Sequence, residues 1–150
     1  MINKQALGTR GAPFTLLVER GKVIEFAQAV QSSHPEHVVS ETPVVPPTFL
    51  ATQLFWEKLV EGGNPWALAG MSEERGMHAE QEYVFHGPPP RAGDRLVATS
   101  TLTEIYDKAN KGGQVLTFVK MRTEFHDECG QLVAEAILTG VEKQPSPAAT

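Results

Sequence analysis

PTFLATQLFWEKLV, residues 47–60, is where the fold is decided. Phe49, Leu50, Ala51, Leu54, Phe55, Trp56, Leu59 and Val60 set apolar side chains nearly all round a helical wheel. A helix with no polar face is wrapped by other structure rather than laid on a surface. Pro47 suits its first turn, where a missing N–H costs no intrahelical bond. Gly62-Gly63 stops it. The expectation is one buried helix over about residues 47–61.

From residue 78 the apolar period changes to that of strands. HAEQEYVFH (78–86), RLVATSTLTEIY (95–106), VLTFVKMRTEFH (115–126) and LVAEAILTGVEK (132–143) are separated by the turns GPPPRAGD, KANKGG and DECG. In 115–126, Val115, Thr117, Val119, Met121, Thr123 and Phe125 face one way, and Lys120, Arg122, Glu124 and His126 the other. An antiparallel meander follows, whose apolar face needs a partner. The 47–61 helix is that partner. His78 and His86, eight apart on one strand, share a face but stand roughly 26 Å apart, too far to form one site.

Upstream, PFTLLV (13–18) reads as a short strand. In ERGKVIEFAQAVQ (19–31), Val23, Phe26, Ala27 and Val30 form one face of a helix. SHPEHVVSETPVVPP (33–47) holds four prolines and reads as a packed loop. KQPSPAAT is a frayed tail, so residues 1–143 form one domain and 144–150 a disordered end. The class is α+β, a curved antiparallel sheet wrapped around one helix.

The 150 residues, 41% hydrophobic and 21% charged, suit one globular domain. A net charge of −5 argues against a general nucleic-acid surface. No run of 18 apolar residues exists, so no membrane span is expected, and the N-terminus lacks a signal-peptide core. The single Cys129 excludes an intrachain disulfide and a thiolate-rich zinc site. A cytoplasmic setting is the expectation.

Five stretches in order, VERGKVIEFAQAV, PPTFLAT, HAEQEYVFHGPPPRAGDRL, LTEIYDK and LTFVKMRTEFHDECGQLVAEA, resemble the N-terminal MaoC-like (FAS1-like) dehydratase domain, a hot-dog fold. The chain is similar, over about residues 13–142, to subunits of heterodimeric 3-hydroxyacyl-thioester dehydratases. The resemblance implies 2-enoyl and (R)-3-hydroxyacyl thioesters of coenzyme A or acyl carrier protein as substrates. It implies a dimer, of two like or two different MaoC-like subunits, whose sheets join side by side. It calls for no cofactor.

Catalytic relatives carry a motif resembling Asp-x-Asn-Pro-x-His, whose Asp and His hold a water. In hydration that water adds to C3 while a proton goes to C2; dehydration is the reverse. Aligned on Pro-x-His, this chain has Ser32-Ser33-His34-Pro35-Glu36-His37. Pro35 and His37 match; Ser32 stands at the acidic position and His34 at the Asn position. His37 and Ser32 are the candidate catalytic residues, with three ways open: His37 alone, Glu36 as substitute, or a partner subunit carrying the full pair. The backbone N–H of Thr48 or Phe49 is the candidate oxyanion donor, because helix N-termini carry unpaired N–H groups. His34, Phe55 and His86 are candidates to line the substrate.

His34 and His37 make a poor metal pair, since Pro35 disturbs helical spacing and no third ligand is evident; no metal is expected. Each singled-out histidine also has an ordinary reading, as a cap or a packed polar group. The leading function is an (R)-specific enoyl-thioester hydratase/dehydratase of fatty-acid or acyl-CoA metabolism. The alternative is a non-catalytic, acyl-binding subunit that stabilises a catalytic partner. A thioesterase, needing an acid near the buried helix, would have only Glu57, late in it.

Overall fold

The computed structural model describes residues 1–144. Five strands form one antiparallel sheet: β1 (Phe14–Leu17), β2 (Gly76–Phe85), β3 (Arg95–Ala109), β4 (Val115–His126) and β5 (Leu132–Lys143), in the spatial order β1-β3-β4-β5-β2. The meander β3-β4-β5 is joined by two tight turns, with Gly113 and Gly130 at positive φ. Burial along β4 alternates as its sequence predicts, Thr117, Val119, Met121, Thr123 and Phe125 being buried. Among the described residues, no helix is long and apolar enough to cross a membrane.

The expected 47–61 helix is much shorter. Phe49–Thr52 form a 3-10 turn, and only Gln53–Glu57 (α3) are α-helical. Pro46 and Pro47 supply no N–H, and Thr48 makes no side-chain cap, so the first turn tightens instead of starting an α-helix. Phe49 and Leu50 enter the core with Leu16, Leu96, Phe125, Ala134 and Ala136. Burying Phe49 alone is worth roughly 2–3 kcal/mol. Phe55 and Leu59, however, are 65% and 76% exposed. The segment packs one side on the sheet and leaves the other bare.

The helix before the proline loop, α1 (Arg20–Ala29), buries Val23 and Ala27, while Val30 lies outside and is exposed. Its end is defined by hydrogen bonds from Gln31 N to Gln28 O (3.0 Å) and from Ser32 N to Ala27 O (2.8 Å). That pair is a Schellman ending, whose turning residue is normally glycine. Here Gln31 takes φ 58°. The left-handed conformation costs a side-chain-bearing residue roughly 1–2 kcal/mol, against roughly 0.5–1 kcal/mol for glycine's extra unfolded-state entropy. Gln31→Gly is therefore expected to stabilise the fold by about 0.5–1 kcal/mol in urea denaturation. A loss of stability would show that the Gln31 side chain has a role of its own.

The proline-rich segment holds one helical turn, α2 (Pro35–Val38), inside the expected loop. On β2, the register shifts between His78 and Glu80. This bulge reverses the face of everything before it, so His78 lies with Gly140 on the inner face and His86 on the outer. The two histidines do not share a face, contrary to simple alternation. Of the expected tail, Gln144 is tied down by its N–H to Val115 O (3.1 Å) and its side chain to Thr117 Oγ1 (2.8 Å); 145–150 lie outside the described residues.

Candidate functional site

The Schellman end of α1 fixes Ser32, and α2 brings His37 back beside it. Ser32 Oγ and His37 Nδ1 are 2.9 Å apart. Ser32 Oγ also accepts the N–H of His34 at 3.4 Å. The hydroxyl proton is then free for His37 Nδ1, an arrangement that favours the proton of His37 on Nε2. The alignment of Ser32 with His37 is thus a contact in space, but it joins an imidazole to a hydroxyl, not to a carboxylate.

Glu36 is turned to Arg91. Its Oε2 accepts from Arg91 Nη1 at 3.4 Å, and Arg91 also donates to Thr42 O at 3.2 Å. Arg91 belongs to the β2–β3 turn and ties the α2 loop to it; Val45 N to Pro90 O (3.0 Å) and Ala92 N to Pro43 O (2.9 Å) add two backbone bonds. His34 is the N-cap of α2, its Nδ1 accepting from Glu36 N at 3.3 Å with Pro35 at the first helical position. It is exposed and caps a helix turn. Among the described residues, no group of three or more His, Cys, Asp or Glu side chains is placed to share an ion.

Two cavities open on the inner face of the sheet, beside β2. One, of about 400 Å³, is walled by Gln53, Leu54, Glu57, Tyr83, Met121, Thr123 and Ala136. The other, of about 630 Å³, is walled by Trp66, Met71, Ser72, Met77 and Gly140. They share Asn64, Trp66, His78 and Leu138, so they lie end to end. Both volumes suit small-molecule or acyl ligands. Neither Ser32 nor His37 lines either one.

The inner wall is unexpectedly polar. Gln53 Nε2 donates to Thr123 Oγ1 at 2.9 Å, and Thr123 Oγ1 is 2.8 Å from Ser100 Oγ. Glu57 is buried; Asn64 Nδ2 donates to its Oε1 at 2.8 Å, and Gln53 Nε2 approaches Oε2 at 3.5 Å. Burial pushes its carboxyl above the usual carboxylate range, against the lowering effect of those two amides.

His34, Phe55 and His86 border neither cavity. Phe55 points away from both cavities on the bare side of α3. On the outer face of the sheet His86 Nε2 meets Glu135 Oε2 at 2.7 Å, in a cluster with Arg122. Phe49 N–H is committed to Pro46 O at 3.0 Å, which leaves it no hydrogen for an oxyanion, and Thr48 is exposed. Sequence reasoning missed Gln53, Asn64, Trp66 and the inward turn of His78. No helical or strand period marks Trp66, which sits on a 3-10 turn, Pro65–Ala69, or Asn64, which caps it. The bulge hides His78.

The family model described as the FAS1-like dehydratase domain region matches residues 5–136. A relative from Streptomyces griseus, named UPF0336 protein, is 33% identical over 128 residues, covering 80% of each chain. Among solved structures, a chain of the HadBC (3R-hydroxyacyl-ACP dehydratase) complex from Mycobacterium tuberculosis superposes with a TM-score of 0.69 at 24% identity, covering 91% of this chain and 96% of that one. A MaoC-like dehydratase gives 0.70 at 26% identity, covering 91% of this chain and 42% of that longer one. The sheet-and-helix arrangement is the hot-dog fold of those dehydratases. With nearly its whole length matched, the chain belongs to the FAS1-like dehydratase domain region family.

Proposed function

We propose that this chain is the acyl-binding, non-catalytic subunit of a two-chain (R)-specific 3-hydroxyacyl-thioester dehydratase, working equally as a 2-enoyl-thioester hydratase. The observation that carries the reading is the partner of His37: a serine hydroxyl at 2.9 Å, where the reaction needs a carboxylate. A neutral hydroxyl does not take the proton from water at pH 7, and Glu36 is turned to Arg91. The second subunit then supplies the acid/base pair that takes a proton from water as its hydroxyl adds to C3 and delivers a proton to C2, or runs the same steps in reverse. This chain's role is to hold the acyl group in the cavities walled by Trp66, Tyr83, Met121 and Leu138. The resemblance to a chain of the HadBC complex supports a two-chain assembly. Coenzyme A or acyl-carrier-protein thioesters in a cytoplasmic setting belong to the same proposal.

One observation favours the alternative, a hydratase complete in itself: Ser32 and His37, the residues that align with the acid and histidine of the catalytic motif, stand 2.9 Å apart. Hydration of long- and short-chain 2-enoyl-CoA by the purified chain separates the two, with His37→Ala in parallel. The expected result is binding seen as a change in tryptophan fluorescence, turnover at background, and no change of either in His37→Ala. Turnover that falls a hundredfold or more in His37→Ala would overturn the proposal and make the chain an enzyme on its own; a loss of that size is ordinary for a general base.

A further inference from the structure

For a pocket meant to hold plain hydrocarbon, α3 is the wrong way round. Its polar residues Gln53 and Glu57, one helical turn apart, wall the smaller cavity, while Phe55 between them is 65% exposed. Glu57 is only 4% exposed. Burying polar groups costs free energy unless hydrogen bonds replace the lost water. Leucine or methionine at both positions would line an alkyl pocket at no such cost.

The bonds these two side chains make do not satisfy them. Gln53 Nε2 donates to Thr123 Oγ1 at 2.9 Å and approaches Glu57 Oε2 at 3.5 Å, long for a hydrogen bond. Gln53 Oε1 is buried and finds no partner among the described residues. Both contacts use the same end of the amide, so exchanging its oxygen and nitrogen still leaves one end unpaired. Asn64 Nδ2 satisfies Glu57 Oε1 at 2.8 Å, but Oε2 has only the long contact. Thr123 is already engaged by Ser100 at 2.8 Å. One wall of the cavity therefore offers both an under-used carboxyl oxygen and a half-used amide.

A hydroxyl answers that pair, because it donates one hydrogen bond and accepts others. It can donate to Glu57 Oε2 and accept from the Gln53 amide, or accept from Glu57 when the carboxyl is protonated. An ammonium group only donates. Burial pushes the Glu57 carboxyl up, toward the neutral form that holds no cation.

We propose that the acyl chain held in this cavity carries a hydroxyl group, recognised by Gln53 and Glu57. This rests on the acyl-binding reading above and names its substrate class. The hydroxyl at C3 is engaged by the acid/base pair that removes it, so the group met here is a second one, further along the chain.

Hexadecanoyl-CoA and its monohydroxy isomers, with the hydroxyl placed from mid-chain to the ω carbon, are titrated against the purified chain by calorimetry. At least one isomer is expected to bind about tenfold or more tighter than the plain chain, since a ligand lacking the hydroxyl leaves the buried polar groups unpaired. Solvation alone works in the opposite direction, because a hydroxyl leaves water less readily than a methylene does. Gln53→Met and Glu57→Leu, which put apolar atoms in similar space, are each expected to abolish the preference. The plain chain should then bind as tightly as before, or several-fold more tightly. The ratio of two ligands on one variant separates recognition from a general loss of structure, and Gln53→Met decides the matter if Glu57→Leu is unfolded. Equal binding of the plain chain and every isomer, a preference unchanged in both variants, or no binding of any of these probes would overturn the inference. Turnover of 2-enoyl-CoA by the chain alone, the result that sinks the subunit reading, does not enter the binding ratio, so the two failures are told apart.

Discussion

Glu142→Ala is expected to lower stability by about 2–3 kcal/mol at pH 7, or roughly 5–10 °C in melting temperature for a chain of this size. Glu142 is 1% exposed, near the end of β5. Its Oε2 accepts the N–H of Ser72 at 2.8 Å, and its Oε1 accepts from Arg75 Nη2 at 3.1 Å. Those bonds hold the loop that feeds β2, and Ser72 borders the larger cavity. Removing one partner of a wholly buried ion pair costs roughly 3–5 kcal/mol. Here the Arg75 side chain is 39% exposed, so its charge returns to water and the lower figure applies. Burial alone would raise the Glu142 carboxyl, but the Ser72 N–H and the Arg75 guanidinium hold it below its ordinary value of 4.5. A folded-state value below the unfolded one gives stability that is complete above about pH 4.5 and lost as pH falls through the folded value. Urea denaturation at pH 7 and near pH 3 checks both halves. The wild type and Glu142→Ala should differ at pH 7 and converge in acid. Equal stability at pH 7 would mean that the loop is held by other contacts.

The position of Glu142 was open to reading in the sequence. In LVAEAILTGVEK, Ala134, Ala136, Leu138, Gly140 and Glu142 share one parity, and all face inward. The alternation that oriented β4 orients β5 too, and it puts an acid inside. Strand ends and turns were equally legible, because Gly113 and Gly130 mark them by their conformational freedom. The helical segment was not. Apolar composition at Phe55 and Leu59 signals surface that prefers to leave water, without saying whether this chain or another covers it. The bulge between His78 and Glu80 was hidden for a different reason: one extra residue in a polar strand leaves no mark on a period of two. It moved His86 to the outer face and His78 to the cavities. The Ser32–His37 contact was legible as a pairing, from the motif alone. Its consequence was not, because whether Glu36 could stand in depended on Arg91, 55 residues away.

Gly140 should not tolerate a side chain. A Cβ built there meets Trp66 Cζ2 at 2.7 Å, Trp66 Cη2 at 2.8 Å and Met71 Cε at 3.0 Å. In an ordinary strand, replacing glycine by alanine gains roughly 0.5–1 kcal/mol from unfolded-state entropy. Overpacking costs roughly 1–3 kcal/mol. The Trp66 backbone N–H is held by Asn64 Oδ1 at 2.8 Å, so its ring can yield only into one of the two cavities it walls. Overpacking therefore wins, and Gly140→Ala is expected to destabilise by about 1–2 kcal/mol. The displaced ring has to enter a cavity that it now walls, so affinity for a long-chain acyl-CoA, measured by calorimetry, should fall about tenfold, or roughly 1.4 kcal/mol. Trp66→Phe removes the two ring atoms that clash. On its own it leaves a void and costs stability. Combined with Gly140→Ala it should cost less than the sum of the two single changes, the coupling expected of residues in direct contact. Additive losses in that cycle would place the Trp66 ring away from Gly140 and remove it from the wall between the cavities; a recovered stability without recovered acyl affinity would leave the packing intact and move the acyl group to another surface.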